Sequence, residues 1–156
     1  MNPSLSRDER MSALNLSTAL CLAQAALAEG RKLGLAPLTV AVLDAGGHLI
    51  TLLRDDGSSL LRPQIAIGKA WGVLGMGFGG RELARRAGTM PAAFFNALIE
   101  LSHGQMVPVP GGVLIRDALG QVIGSVGVTG DTSDNDETAA LAGIAAAGLK
   151  GDTGAA

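Results

Sequence analysis

Several ingredients that common protein chemistries need are scarce in this chain. In 156 residues there is one cysteine, Cys21, one tryptophan, three phenylalanines and no tyrosine. A single cysteine excludes an internal disulfide framework and a cysteine-rich zinc site. Its apolar helical setting reads as that of a small buried hydrophobe. So few aromatic rings leave little to stack against nucleic-acid bases. The net charge of −2 offers no basic footprint for nucleic acid or an anionic membrane surface. Only 17% of the residues are charged, yet no apolar run reaches the ~20 residues that span a bilayer. The sequence also lacks G-x-S-x-G, H-E-x-x-H and P-loop signatures. Neither of its two histidines, His48 and His103, has a partner at metal-ligand spacing.

What the chain does hold is apolar and small: 47% hydrophobic residues and 23 glycines. That composition fits one globular domain with closely approaching backbones. Low charge with positive mean hydropathy points to surface buried in an oligomer. Residues 1–11 and 151–156 read as frayed tails around a single domain, 12–150. The stretch 12–28 resembles a signal peptide, with Ala26-Leu27-Ala28 mimicking a cleavage site. Asn15, Ser17, Thr18 and Gln24 interrupt its apolar core, and Leu16, Leu20, Ala23 and Leu27 follow helical spacing instead. It is therefore read as an amphipathic helix of a cytoplasmic protein.

LTVAVLDAGGHLITLLRDD (38–56) predicts two strands joined at Asp44-Ala45-Gly46-Gly47, with Val40 and Val42 on one face and Ile50 and Leu52 on one face of the return strand. A second hairpin runs from 112 to 130 and turns at Ala118-Leu119-Gly120. Between them, 62–77 reads as a helix with Ile67, Ala70 and Leu74 on one stripe and Gly68, Gly72 and Gly75 on another. Further helices are expected at 81–87, at 91–101 with Pro91 in the first turn, and at 135–149. Hairpins separated by helices predict an α+β fold, an antiparallel sheet with helices packed on it.

Gly75, Gly77 and Gly80 match G-x-G-x-x-G, but a helix precedes them where the dinucleotide fingerprint needs a strand. The acidic run from Asp131 fails as a calcium loop, because Asp136 occupies the position that needs glycine and Ala142 the position that needs glutamate. Asp134 as N-cap with Glu137 as its reciprocal partner explains the run as a capping box, the alternative being a role for Glu137 in orienting a ligand. Lys69, a lone cation on an apolar helix, is either solvated or an anion-binding group. Pro110-Gly111-Gly112 is a turn, or a source of N–H groups for a carboxylate or oxyanion. Gly124 and Gly127 imply that a helix, another subunit or a flat ligand approaches the last strand closely. His48, beside Gly46-Gly47, could reach a pocket mouth, and His103 ends a helix.

DAGGHL (44–49), IAIGKA (65–70), PGGVLI (110–115), the hairpin 120–130 and DNDETAA (134–140) together resemble, in order and spacing, the GlcG/HbpS family. That family includes the C-terminal domain of PduO-type proteins, and the resemblance covers about residues 12–149. It implies a profilin-like antiparallel sheet flanked by helices, homo-oligomeric assembly and, in some members, haem binding. Should haem bind, His48 or His103 is the preferred axial ligand, with Met76, Met90 and Met106 weaker choices. Trp71, Phe78, Phe94 and Phe95 are the available flat walls. One expectation is thus an accessory protein that binds haem or a related tetrapyrrole. The other is a cofactor-independent isomerase, tautomerase or hydro-lyase acting on a carboxylate metabolite. There Lys69 or Arg54 would hold the carboxylate, the Gly111 and Gly112 amides would stabilise developing charge, and His48 would move the proton. A purely structural oligomer would also account for the glycine and alanine stripes.

Overall fold

The side chain of Asn15 accepts the N–H of Thr18 at 2.9 Å and so starts helix α1, Leu16–Lys32. The computed structural model describes residues 14–155. The tail expected at 1–11, and the first two positions of the stretch read as helix from residue 12, lie outside the described residues. Arg31 and Lys32 occupy the last turn of α1, where cations suit the negative helix end. Its buried face is Ala19, Leu22, Ala23, Ala26, Leu27 and Gly30, rotated from the expected leucine stripe. Leu16 is 61% exposed. The cause is the helix we label α5, Ser133–Ala146, which lies along α1. A Cβ on Gly143 would stand 2.5 Å from the carbonyl oxygen of Leu22. The two backbones meet where side chains are smallest, a preference that leucine spacing does not register. Cys21 falls on the outer side of the rotated helix and is exposed, not buried as its apolar neighbours suggested.

Strands β1 (Thr39–Asp44) and β2 (Leu49–Arg54) form the first expected hairpin, and β3 (Gly112–Arg116) and β4 (Val122–Thr129) the second. All pair antiparallel, in the order β2-β1-β4-β3, with Lys150–Asp152 as a further strand beyond β3. With helices on both faces, this is the α+β, profilin-like arrangement the sequence predicts. A register shift after Val42 breaks the simple alternation of β2. Ile50 therefore joins Leu53 against the main core, while Leu52 sits opposite Ala41. The fifth strand, β5 (Lys150–Asp152), corrects the reading of 151–156 as a tail. Gly151 pairs with Ile115, the Arg116 guanidinium bonds Asp152 at 2.9–3.0 Å, and the Thr153 carbonyl accepts the N–H of Arg81 at 2.9 Å.

Both hairpin turns share one construction. Asp44 Oδ1 accepts the N–H groups of Gly46 and His48, and Asp117 Oδ1 accepts those of Leu119 and Gln121. Gly47 (φ 82°) and Gly120 (φ 81°) take the left-handed position that each turn requires.

The main core lies between α1 and α5 and the face of the sheet that carries Val40, Val42, Val126 and Val128. On the other face lies helix α2, Arg62–Met76, which packs across β1, β4 and β3. Beneath it, β4 presents only small residues, Ser125 and Gly127. A Cβ on Gly127 would stand 1.9 Å from the Ala66 carbonyl oxygen, so the helix itself is what approaches this glycine. Ser125 Oγ donates to the Ala70 carbonyl at 2.7 Å. The face of α2 turned to the protein is Ala66, Lys69, Ala70 and Val73, with Ile67 and Leu74 only half-buried. Gly68 and Gly72 admit the crossing segment at Gln105–Val107. Helices α3 (Gly80–Thr89) and α4 (Ala92–Leu101, with Pro91 as its N-cap) complete the order. Leu83, Phe95 and Met106 form a second, small core beside them, with Trp71 and Met76 packed against it.

Candidate functional site

The acidic segment at the start of α5 proves to be structural, in a different way from the expected capping box. Thr132, not Asp134, is the N-cap, and its side chain accepts the N–H of Asn135. Asp131 accepts the N–H of Ala36, the N–H of Thr132 and the amide of Asn135 at 2.7–2.9 Å. The Asn135 bond foremost, then the two backbone donors, holds its carboxyl below the usual range. Asp136 turns inward, accepts the N–H of Asp131 at 2.9 Å and meets Lys69 Nζ at 3.0 Å. Glu137 receives the Arg81 guanidinium at 2.8–3.2 Å, and the same guanidinium reaches Asp134 at 2.9 Å. Bonding to Glu137, then to Asp134, raises the pKa of Arg81 further.

Lys69 is correspondingly not a solvated lysine. Its side chain is 3% exposed and donates to Asp136 and, at 2.9 Å, to the Val128 carbonyl. Burial pushes the ammonium down from its ordinary range and the Asp136 carboxyl up, with the attraction between them opposing both shifts. Gly111 (φ 108°) leaves room for this ammonium, since a Cβ there would stand 2.8 Å from Nζ. Gly111 and Gly112 are buried, and Gly112 lies under the Lys69 carbonyl. The ammonium and the paired glycines thus lie together, but in the interior. Arg54 lies apart from them, exposed at the end of β2, in a polar groove of about 370 Å³ shared with Arg31, Asp55 and Asp56.

A wider hollow of about 490 Å³ lies at the two hairpin turns, between Leu14, Asp44, Gly46, Gln121 and Ile123, and two smaller clefts share the single tryptophan. Trp71 is half-buried on α2 and walls two clefts. One, of about 190 Å³, lies between α2 and α4 and is lined by Trp71, Gly75, Met76, Leu98, Leu101, Ser102 and Met106. The other, of about 150 Å³, lies between Trp71, Leu74 and Gly75 and the β1–β2 turn at Ala45–Gly47. The indole Nε1 is 3.4 Å from where a Cβ on Gly47 would stand. His48 directly follows that turn, with an imidazole 83% exposed and its Nδ1 3.2 Å from Asp44 Oδ1. Burial raises the Asp44 pKa, but the N–H donors of His48 and Gly46 and the imidazole outweigh it, so the carboxyl stays below the usual range. His103 directly follows Ser102. It is exposed, at φ 54°, and its N–H and that of Gly104 close the end of α4 on the carbonyls of Glu100 and Ile99. Each candidate histidine thus follows a lining residue of one cleft in sequence, while neither ring is part of the lining. Of the candidate methionines, Met106 is buried in the first cleft wall and Met76 lines the same cleft, while Met90 is exposed. Among the described residues no group of three or more His, Cys, Asp or Glu is gathered to hold a metal ion.

Sequence reasoning named Trp71 only as a flat wall. Its position between two hollows follows from glycines: a Cβ on Gly75 would stand 2.9 Å from its ring. A lone tryptophan flanked by Gly68, Gly72 and Gly75 was the available signal. For Asp136 the signal was weaker, one acid among several in a helix whose partner stands 67 residues earlier.

Comparison with known proteins places this geometry in context. The family described as haem degrading protein HbpS-like matches residues 14–145. An uncharacterized 15.0 kDa protein from the dhaT–dhaS intergenic region of Citrobacter freundii is 27% identical over 132 residues, 85% of this chain and 90% of that protein. The crystal structure of a PduOC:heme complex superposes with a TM-score of 0.78 at 27% identity, covering 88% of this chain and 97% of that one. The crystal structure of HbpS gives 0.73 at 27% identity, covering 93% and 95%.

Proposed function

Because this chain belongs to the HbpS-like family, we propose that it binds haem or a related tetrapyrrole at Trp71, in an accessory role. The observation that carries this reading is the arrangement around one indole: two clefts share Trp71 and Gly75, and a histidine follows the lining of each. A porphyrin needs flat apolar walls and an axial donor. Trp71, Met76, Leu98 and Leu101 supply apolar walls, and His48 or His103 would supply an exposed ring nitrogen. Haem, when bound, would contribute an iron able to exchange electrons or a small ligand. A neighbour that crystallised with haem, PduOC, shares the fold at 27% identity, which supports the same reading.

Each cleft is smaller than the ~300 Å³ at the lower end of small-molecule sites. A tetrapyrrole would therefore extend beyond either one, and a second copy of the chain is the proposed cover. In support, Met90, Phe94 and Leu101 of α4 and its approach are exposed at 39, 43 and 76%, at helical spacing next to the first cleft. No described helix is long and apolar enough to cross a membrane, and a single free thiol, Cys21, suits a reducing compartment such as the cytoplasm.

The isomerase, tautomerase or hydro-lyase reading draws less support. Lys69 is turned into Asp136, and the Gly111–Gly112 backbone lies beneath α2. Hemin titration tests the proposal. A saturable Soret shift that weakens in Trp71→Ala and in a histidine variant is the expected outcome. An unchanged hemin spectrum would refute it.

A further inference from the structure

We propose that Asp44 is a positioning residue that fixes the ring tautomer of His48, presenting Nε2 as the donor for the iron of a bound tetrapyrrole. The inference rests on the haem reading above and selects between its two candidate ligands. Asp44 Oδ1 is the centre of the first hairpin turn. It accepts the N–H of Gly46 and the N–H of His48, each at 2.9 Å, and lies 3.2 Å from His48 Nδ1. The two backbone bonds hold the carboxylate in place, so it is the ring that must adapt to it. A neutral imidazole facing a carboxylate through Nδ1 carries its proton there, which leaves the lone pair on Nε2. Metal-bound histidines commonly show this pairing, in which a carboxylate fixes the tautomer and raises the basicity of the ligating nitrogen.

Gly46 is a second, independent part of the device. The ring folds back over it: a Cβ at this position would stand 3.0 Å from both Nδ1 and Cε1 of His48, and 3.3 Å from Asp44 Oδ1. A methyl group there would crowd the ring, which would have to give by a few tenths of an ångström. The twin turn at Asp117 is built alike but carries Gln121 where the first has His48, so the histidine is a feature of one turn and not of the turn type. His103 has no comparable support. It closes a helix end, and among the described residues no side chain bonds its ring.

The test uses Asp44→Asn and Gly46→Ala in the full chain. The asparagine oxygen can still accept both backbone N–H groups, so the turn is kept while the charge is lost. Gly46→Ala leaves the carboxylate intact and crowds the ring against it, shifting their contact. Long-range ¹H–¹⁵N spectra of the haem-free protein, taken where the ring is neutral, should show His48 mainly in the Nδ1–H form. Both variants should shift it toward a mixture. In hemin titration both should bind about 10–100-fold more weakly than the parent chain, as loss of such a support usually does. A His48 tautomer population unchanged in both variants would overturn the inference whatever the hemin result. Altered tautomers with unaltered hemin affinity would overturn Asp44's role toward the ligand. If the parent chain binds no hemin at all, the haem reading fails, and the tautomer spectra still decide whether Asp44 orients the ring.

Discussion

Asp136→Asn keeps the shape of a buried side chain and removes the charge that faces Lys69. In the folded protein both partners are almost sealed from water, at 3% and 2% side-chain exposure, with 3.0 Å between them. Each also bonds the backbone, Lys69 at Val128 and Asp136 at Asp131. Removing one member strands the other charge in the interior, a change that typically costs about 3–5 kcal/mol. With urea slopes of ~1–3 kcal/mol/M, the unfolding midpoint should fall by at least about 1 M at fixed protein concentration. Lys69→Met should do the same. The combined Lys69→Met/Asp136→Leu variant should lose clearly less than the sum of the two single losses. It strands no charge, and only the Val128 carbonyl and Asp131 N–H lose partners, at about 1–3 kcal/mol each at most. The reasoning would be refuted if the double variant lost the sum of the two single losses, or if Asp136→Asn left the midpoint in place.

Other consequences can be checked separately. Gly127→Ala places a methyl group against the Ala66 carbonyl, where no side chain can yield, and should cost about 3 kcal/mol or prevent folding, read by thermal or urea unfolding. Phe94→Glu puts a charge on the exposed apolar stripe of α4 and should lower the oligomeric mass in light scattering while leaving the circular dichroism spectrum intact. Glu82, held by Arg85 and then Arg86, should titrate at about 2 in carboxyl NMR and return toward 4.5 in Arg85→Ala/Arg86→Ala. Because its folded pKa lies below its unfolded one, its stabilising effect is complete above about pH 4.3 and is lost as the pH falls toward 2.

The hairpins and the order of helices were legible because they are written locally: alternating apolar residues, and turns of Asp, Gly and small residues. The buried face of α1 was not, because Ala19, Ala23 and Ala26 are chosen by the approach of Gly143 across the core and not by hydrophobicity. β5 escaped for a related reason. Lys150-Gly151-Asp152 has no strand propensity of its own and is held by β3 and Arg116. At the candidate site, His48 and His103 stood out as rare residue types, and each follows a cleft-lining residue in the chain without lining the cleft itself. Lys69 and Glu137 stood out equally and are engaged by Asp136 and Arg81. A charge reads alike in sequence whether it awaits a ligand or a distant partner in the same chain.

Hemin titration of the parent chain alongside His48→Ala and His103→Ala tests the central claim most directly. The account predicts a saturable Soret shift that is lost in His48→Ala and retained in His103→Ala. A parent chain with no shift at micromolar hemin, or a shift indifferent to both replacements, would contradict it.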